Sequence, residues 1–194
     1  SVMRHMRLLQ ETLEHLLRTG EPQLYEREIR IRGGGVVAQV FPRSLEDKVF
    51  LSGFSAEIRF LKSPSVDEIR KQMARIYLAE SEVRQKTCVV LGAGNVSSIG
   101  LQDVLNKVFS ENQSCVLKMN PVNEYLSEVY LKSFSALVEE GIFRVVCGGA
   151  GVGEEWVQRA DVDAVHMTGS TSVHDAIVWG VDDEAVKNRE AGTP

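Results

Sequence analysis

Four short stretches of this chain could do chemistry, each where an apolar run gives way to glycines or hydroxyl residues. In CVVLGAGNVSSIG, Gly92 and Gly94 follow a strand-like run, and Asn95 offers an amide that can donate to an anionic oxygen. A strand turning into a helix through Gly-x-Gly lets backbone approach a dinucleotide, but the third position of that pattern is Ser97. A tight turn with no ligand is nearly as well supported. Lys118 closes SCVLKM just before Asn120-Pro121. Its ammonium can hydrogen-bond ribose hydroxyls or attract a 2′-phosphate, and the alternative is a solvated lysine at a strand end. GGAGVGEEW, residues 148–156, has four glycines that allow close backbone approach, with Glu154 and Glu155 in the first helical turn competing with phosphate. A merely flexible connection is the even alternative. VHMTGSTSVHDAI sets Thr168-Gly169-Ser170-Thr171 between a strand and a helix, where hydroxyls beside free N–H groups suit a pyrophosphate. An ordinary N-cap by Ser170 or Thr171 would use the same residues.

The elements that must position these loops follow from hydrophobic period. Met3, Met6, Leu9, Leu13, Leu16 and Leu17 recur at helical spacing, so residues 1–19 read as a helix ended by Gly20 and Pro22. From Tyr25 to Leu61 the period shortens. Ile29 and Ile31 alternate with Arg30 and Arg32, then VVAQVF, VFLSGF and AEIRFL follow as strand-like runs, with turns at Gly33-Gly34-Gly35 and Pro42-Arg43-Ser44. Pro64 and Ser65 open a helix with a Ser65/Glu68 capping box, an Ile69, Met73, Ile76 and Tyr77 stripe, and an end near Arg84 to Lys86. Beyond it TCVVLG, SCVLKM, FRVVCG and DAVHM alternate with helical stretches, the last of them short, around Trp156 and Val157. Near-continuous apolar strands joined by helices imply a parallel sheet covered on both faces. Right-handed crossovers then gather the loops beginning at Gly92, Lys118, Gly148 and Thr168 on one rim, where such sheets bind ligands.

Composition narrows the function. The net charge is -5 with the two signs interspersed, which argues against nucleic acid as a partner. No run approaches the roughly 20 apolar residues of a membrane span. Arg4, His5, Arg7 and Glu11 break any signal-peptide core. Cys88, Cys115 and Cys147 lack metal-ligand spacing and lie in or beside apolar runs, so they read as reduced core thiols, no metal is expected, and the compartment is cytoplasmic. Ser1 falls inside an amphipathic pattern and Pro194 follows a polar stretch, so the expectation is a piece of a longer protein.

Taken in order, the four loops resemble the cofactor domain of the aldehyde dehydrogenase superfamily, over roughly residues 87–179. HMTGST is similar to that family's F-T-G-S-T segment, SCVLKMNP to its V-V-L-K-P-S-E segment, GAGN to its P-W-N segment, and GIFRVVCGGAGVGEEWVQRADVDAV to its glycine-rich loop and following helix. The resemblance implies NAD or NADP as cofactor. It implies an oxyanion-stabilising role for Asn95, ribose contact for Lys118, and cofactor contacts at Gly148, Gly151, Thr168, Gly169, Ser170 and Val173. Departures are visible. Gly92-Ala93-Gly94 replaces the Pro-Trp before Asn95, Pro121 stands where the family often has a ribose-gripping glutamate, and His174 stands where a glycine is common. The family's catalytic glutamate and cysteine both follow the T-G-S-T element, and neither is found before Pro194.

The combined expectation is an α/β chain with a parallel Rossmann-like sheet, preceded by an N-terminal helix and a small antiparallel β region. Residues 1–61 would hold the helix and strands (a possible oligomerisation ribbon), 62–180 the NAD(P)-binding domain, and 181–194 a polar tail. The implied function is the cofactor-binding portion of an oxidoreductase that oxidises an aldehyde, or reduces an acyl group, through a cysteine thioester. The 194 residues alone are expected to be inactive, and the full-length protein to be a homo-oligomer. The alternative is a non-catalytic dinucleotide-binding or assembly module.

Overall fold

The computed structural model of the protein describes residues 2–23, 28–33, 35–61, 65–77, 85–181 and 183–192. Tyr25, Gly34, Pro64 and Arg84, named above as strand, turn and helix limits, lie outside the described residues. Two compact units make up the chain: Leu8–Ser81, and Ser1–Arg7 together with Glu82–Pro194.

The first helix, α1 (Val2–Thr19), ends where its period predicts, at Gly20 with φ +73°. Within Leu8–Ser81, β1 (Ile29–Arg32), β2 (Gly35–Phe41) and β3 (Ala56–Arg59) form an antiparallel sheet in that order. The alternation of Ile29 and Ile31 with arginines is thus strand structure. VFLSGF is not. Residues 45–50 form α2 (Leu45–Phe50), because Ser44 Oγ accepts from Asp47 N–H at 3.0 Å while Asp47 Oδ2 accepts from Ser44 N–H at 3.2 Å. That capping box satisfies the first-turn donors and overrides the strand propensity of the apolar run. The predicted Ser65/Glu68 box is also present and opens α3 (Val66–Gln72). This helix is shorter than its stripe predicts: Met73 is extended and Ala74 has φ +53°, so Ile76 and Tyr77 fall in a separate 3₁₀ turn, Arg75–Tyr77.

The other unit carries the parallel sheet. Its strands β4 (Lys86–Leu91), β5 (Gln113–Lys118), β6 (Phe143–Val146) and β7 (Ala164–Met167) lie in the order β6-β5-β4-β7, every pair parallel. Helices flank them: α4 (Ser97–Glu111), α5 (Ser127–Ser133), α6 (Ser135–Glu139), α7 (Ala150–Val157) and α8 (Thr171–Val178), with α9 (Asp183–Ala191) within the polar stretch at the end. The register aligns Cys88, Cys115 and Phe143 across three strands, and Val90 with Leu117 in the next layer. These side chains pack with Leu101 and Val104 of α4 and Tyr130 of α5 into one core. Fully burying an aliphatic or aromatic side chain of this size contributes about 1.5–3 kcal/mol, which fixes strand register and hence the rim. Side chains alternate along β5, so Val116 and Lys118 face away from Leu117 and toward α7.

Cysteine placement needs one correction. Cys88 and Cys115 are buried partners, and the Cys115 thiol pKa is pushed up by its hydrogen bond with Cys88 and by burial. Cys147 is exposed, because β6 stops at Val146 and the next residue already belongs to the rim loop.

Candidate functional site

All four predicted loops leave the carboxyl ends of the parallel strands, so the sheet does gather them on one rim. The β4 loop is held closely. Asn123 is buried, and its Nδ2 donates to Ala93 O at 3.0 Å and Gly94 O at 3.3 Å. Gly92 N–H donates to Lys118 O at 2.9 Å, and a Cβ on Gly94 would stand 2.8 Å from Asn120 Nδ2. Glycine at 94 is therefore required by the approach of Asn120, independent of any ligand. Asn95 follows this anchored turn and is exposed. Val96 caps α4 without a side-chain hydrogen bond and no acid occupies the first turn, leaving the N-terminal end of the helix dipole uncountered. Tyr130 OH donates to Ser97 O at 2.7 Å and locks that end in place.

Lys118 has the most unusual environment on the rim. It is 7% exposed, and its stem runs beside Gly153 of α7, where an added Cβ would lie 3.9 Å from Lys118 Cε. Among the described residues no hydrogen-bond acceptor and no ion-pair partner reaches its ammonium. Burial lowers its pKa below the ordinary 10.5, and the negative potentials of Glu124 and Cys147 oppose that shift. The buried part of the residue is its stem, and the ammonium opens to solvent at the rim, where a ligand can supply an acceptor.

Gly148 lies across from it. Its φ is +133°, and a Cβ would stand 2.6 Å from Val152 Cγ2, so only glycine fits. Its N–H donates to Glu124 Oε1 at 2.6 Å. Sequence reasoning did not find Glu124. It sits in the 3₁₀ turn Pro121–Leu126, opened by Asn120 capping Val122 N–H, and no motif spacing marks it. The glycine-rich segment also differs from the expectation. Helix α7 begins at Ala150, so Gly151 and Gly153 are helical, Gly151 is exposed and Gly153 is buried. Glu154 and Glu155 fall in the second turn, leaving the first turn without an acid.

The last loop is fastened by α4. Thr168 Oγ1 donates to Asp103 Oδ2 at 3.0 Å, and Asp103 Oδ1 lies 3.4 Å from His166 Nε2 without hydrogen-bond alignment. Gly169 brings its backbone within reach of Met167, whose Cε would be 2.9 Å from a Cβ. Ser170 is the N-cap of α8, its Oγ accepting from Val173 N–H at 3.4 Å. Thr171 and Ser172 N–H have no acceptor among the described residues, so part of the helix end is open. Val173 is 45% exposed. The structure thus places Lys118 and Gly148 at adjacent strand ends, β5 and β6, and Asn95 and the Thr168–Ser170 loop at the neighbouring ends of β4 and β7. Asp103, Asn120 and Asn123 are the supports that sequence reasoning missed. Among the described residues no three His, Cys, Asp or Glu side chains form a metal cluster, and no helix is long and apolar enough to cross a membrane.

Comparison with known proteins identifies the stretch that carries most of this rim. The sequence model of the aldehyde dehydrogenase family matches residues 108–188. No curated protein and no solved structure gives a match. The matched stretch takes in β5, β6, β7 and their loops, with Lys118, Glu124, Gly148 and the Thr168–Ser170 turn, whereas Asn95 and Asp103 precede it. The matched stretch therefore coincides with the part of the rim that holds Lys118.

Proposed function

We propose that this chain is the NAD(P)-binding portion of an aldehyde dehydrogenase-like oxidoreductase. The observation that carries the reading is Lys118, a lysine whose stem is buried beside α7 and whose ammonium opens to the rim at the carboxyl end of β5, inside the stretch that matches the aldehyde dehydrogenase family. The residues present fit a dinucleotide. Lys118 can donate to ribose oxygens, and Gly148 and Gly169 keep side chains out of the way. The open Thr171 and Ser172 N–H groups of α8 can receive a phosphate oxygen. When bound, the nicotinamide supplies the hydride acceptor for oxidising an aldehyde, or the donor for reducing an acyl group. Asn95, exposed just before α4, would donate its amide to a substrate oxygen as negative charge develops there. The small-molecule partner is accordingly an aldehyde or an activated acyl compound. Titration calorimetry with NAD and with NADP on the 194-residue chain tests the reading. Saturable binding that weakens in Lys118→Ala supports it. Absence of binding with either dinucleotide in folded protein overturns it.

A further inference from the structure

We propose that Cys88 and Cys115 are a redox couple inside the parallel sheet, which a hydroperoxide closes into a strained cross-strand disulfide and a dithiol reopens. The pairing comes from the strand register. Cys88 of β4 and Cys115 of β5 are direct Cα partners, both are free, and both lie in the same core cluster, so their side chains leave the same face of the sheet. Neighbouring strands run about 4.7–4.9 Å apart, inside the Cα separation of about 4.4–6.8 Å that a disulfide spans. The layer continues to Phe143 on β6 and Ala164 on β7, which offer no competing polar side chain.

The thiols are otherwise weakly held. Cys88 Sγ donates to Val89 O at 3.7 Å, and Cys115 Sγ to Gln113 O at 3.8 Å and Val104 O at 4.0 Å. Their mutual hydrogen bond lowers the Cys88 pKa and raises that of Cys115, which marks Cys88 as the attacking sulfur. With hydrogen peroxide, Cys88 Sγ bonds to one oxygen, the O–O bond breaks, and the other oxygen leaves as water with the thiol proton. Cys115 Sγ then attacks the sulfenic sulfur of Cys88. The S–O bond breaks, and a second water carries off the hydroxyl and the Cys115 proton. The two sulfurs together lose two electrons, which the peroxide gains. Cys88 is 0% and Cys115 2% exposed, so entry is open only to a small neutral oxidant, and the adjacent thiol traps the sulfenic acid before it oxidises further.

Geometry sets the lability. Registered strands keep Cβ atoms nearly as far apart as Cα atoms, whereas a disulfide needs about 3.5–4.5 Å between Cβ atoms. Closure therefore draws β4 and β5 together, and a strained disulfide is the more easily reduced kind. The strain enters three register positions before Leu91 and Lys118, where the two strands end at the rim.

The test uses the 194-residue chain carrying Cys147→Ser, which removes the exposed thiol and with it links between molecules. Thermal melts establish folding. Folded protein is treated with hydrogen peroxide, quenched with catalase, unfolded in N-ethylmaleimide and mapped by mass spectrometry without reduction. The expected result is loss of both remaining free thiols with the Cys88 and Cys115 peptides joined, and recovery of both when dithiothreitol is added to the still-folded protein. Two thiols recovered unchanged, or oxidation to sulfinic acid without a cross-link, overturns the proposal. So does a cross-link that dithiothreitol opens only after urea unfolds the chain. Should the Cys147→Ser chain not fold, the parent chain with Cys147 first blocked by iodoacetamide is read in the same way.

Discussion

Replacing Lys118 with methionine is expected to make the protein more stable and its nucleotide binding weaker. Methionine keeps the apolar stem that packs beside Gly153 and removes a partly desolvated ammonium that no acceptor among the described residues reaches. Relieving such a group is expected to add on the order of 1 kcal/mol, raising the melting temperature by a few degrees. The pH dependence gives the effect a signature. Burial lowers the Lys118 pKa from 10.5, so between that depressed value and 10.5 the unfolded chain binds more protons than the native one. Parent stability therefore rises with pH across that window, while the methionine variant has no such group. The gap between them should be widest near neutrality and should close as pH rises toward 10.5. Binding moves the other way. Loss of a charge-assisted hydrogen bond to ribose costs about 1.5–3 kcal/mol, or roughly 10- to 150-fold in affinity. Urea denaturation near neutrality and in alkaline buffer, with calorimetry using NAD, reads both quantities. A variant that is less stable near neutrality and binds NAD as tightly as the parent would refute the reasoning.

Asn123→Ala should destabilise the α/β unit by about 1–3 kcal/mol, because two loop carbonyls lose a buried donor; an unchanged denaturation midpoint would contradict that role. Thr168→Val removes the bond to Asp103 and should cost about 0.5–1.5 kcal/mol of stability, with weaker nucleotide binding from a loosened loop. Equal affinity and stability would show that Asp103 does not hold the loop.

The parallel sheet was legible in the sequence because each of its strands is a short apolar run bounded by turn residues. The Ser65/Glu68 box was legible because a capping box has a fixed spacing. What escaped were contacts distant in sequence. Glu124 meets Gly148 across 24 positions, and Asp103 meets Thr168 across 65. Hydrophobic period carries no record of such pairs. Cys147 continues the apolar run of β6 by composition, but the strand ends one residue earlier and exposes it. Gly151 and Gly153 read as loop because glycine weakens helices, yet α7 forms around them and Gly153 gives the Lys118 stem its passage. VFLSGF misled in the opposite sense, since a local Ser44/Asp47 cap outweighed strand propensity.

Cys147 offers the most direct measurement of the central claim, that a nucleotide binds on the rim between β5 and β6. It is exposed at the end of β6 beside Gly148, whereas Cys88 and Cys115 are buried, so iodoacetamide should modify Cys147 first. The rate of its alkylation, followed by mass spectrometry with and without saturating NAD, reports on that spot alone. The account predicts that NAD slows modification of Cys147 severalfold and leaves the two buried thiols unmodified. An alkylation rate at Cys147 unchanged by NAD at concentrations where calorimetry shows saturation would place the nucleotide elsewhere and contradict the account.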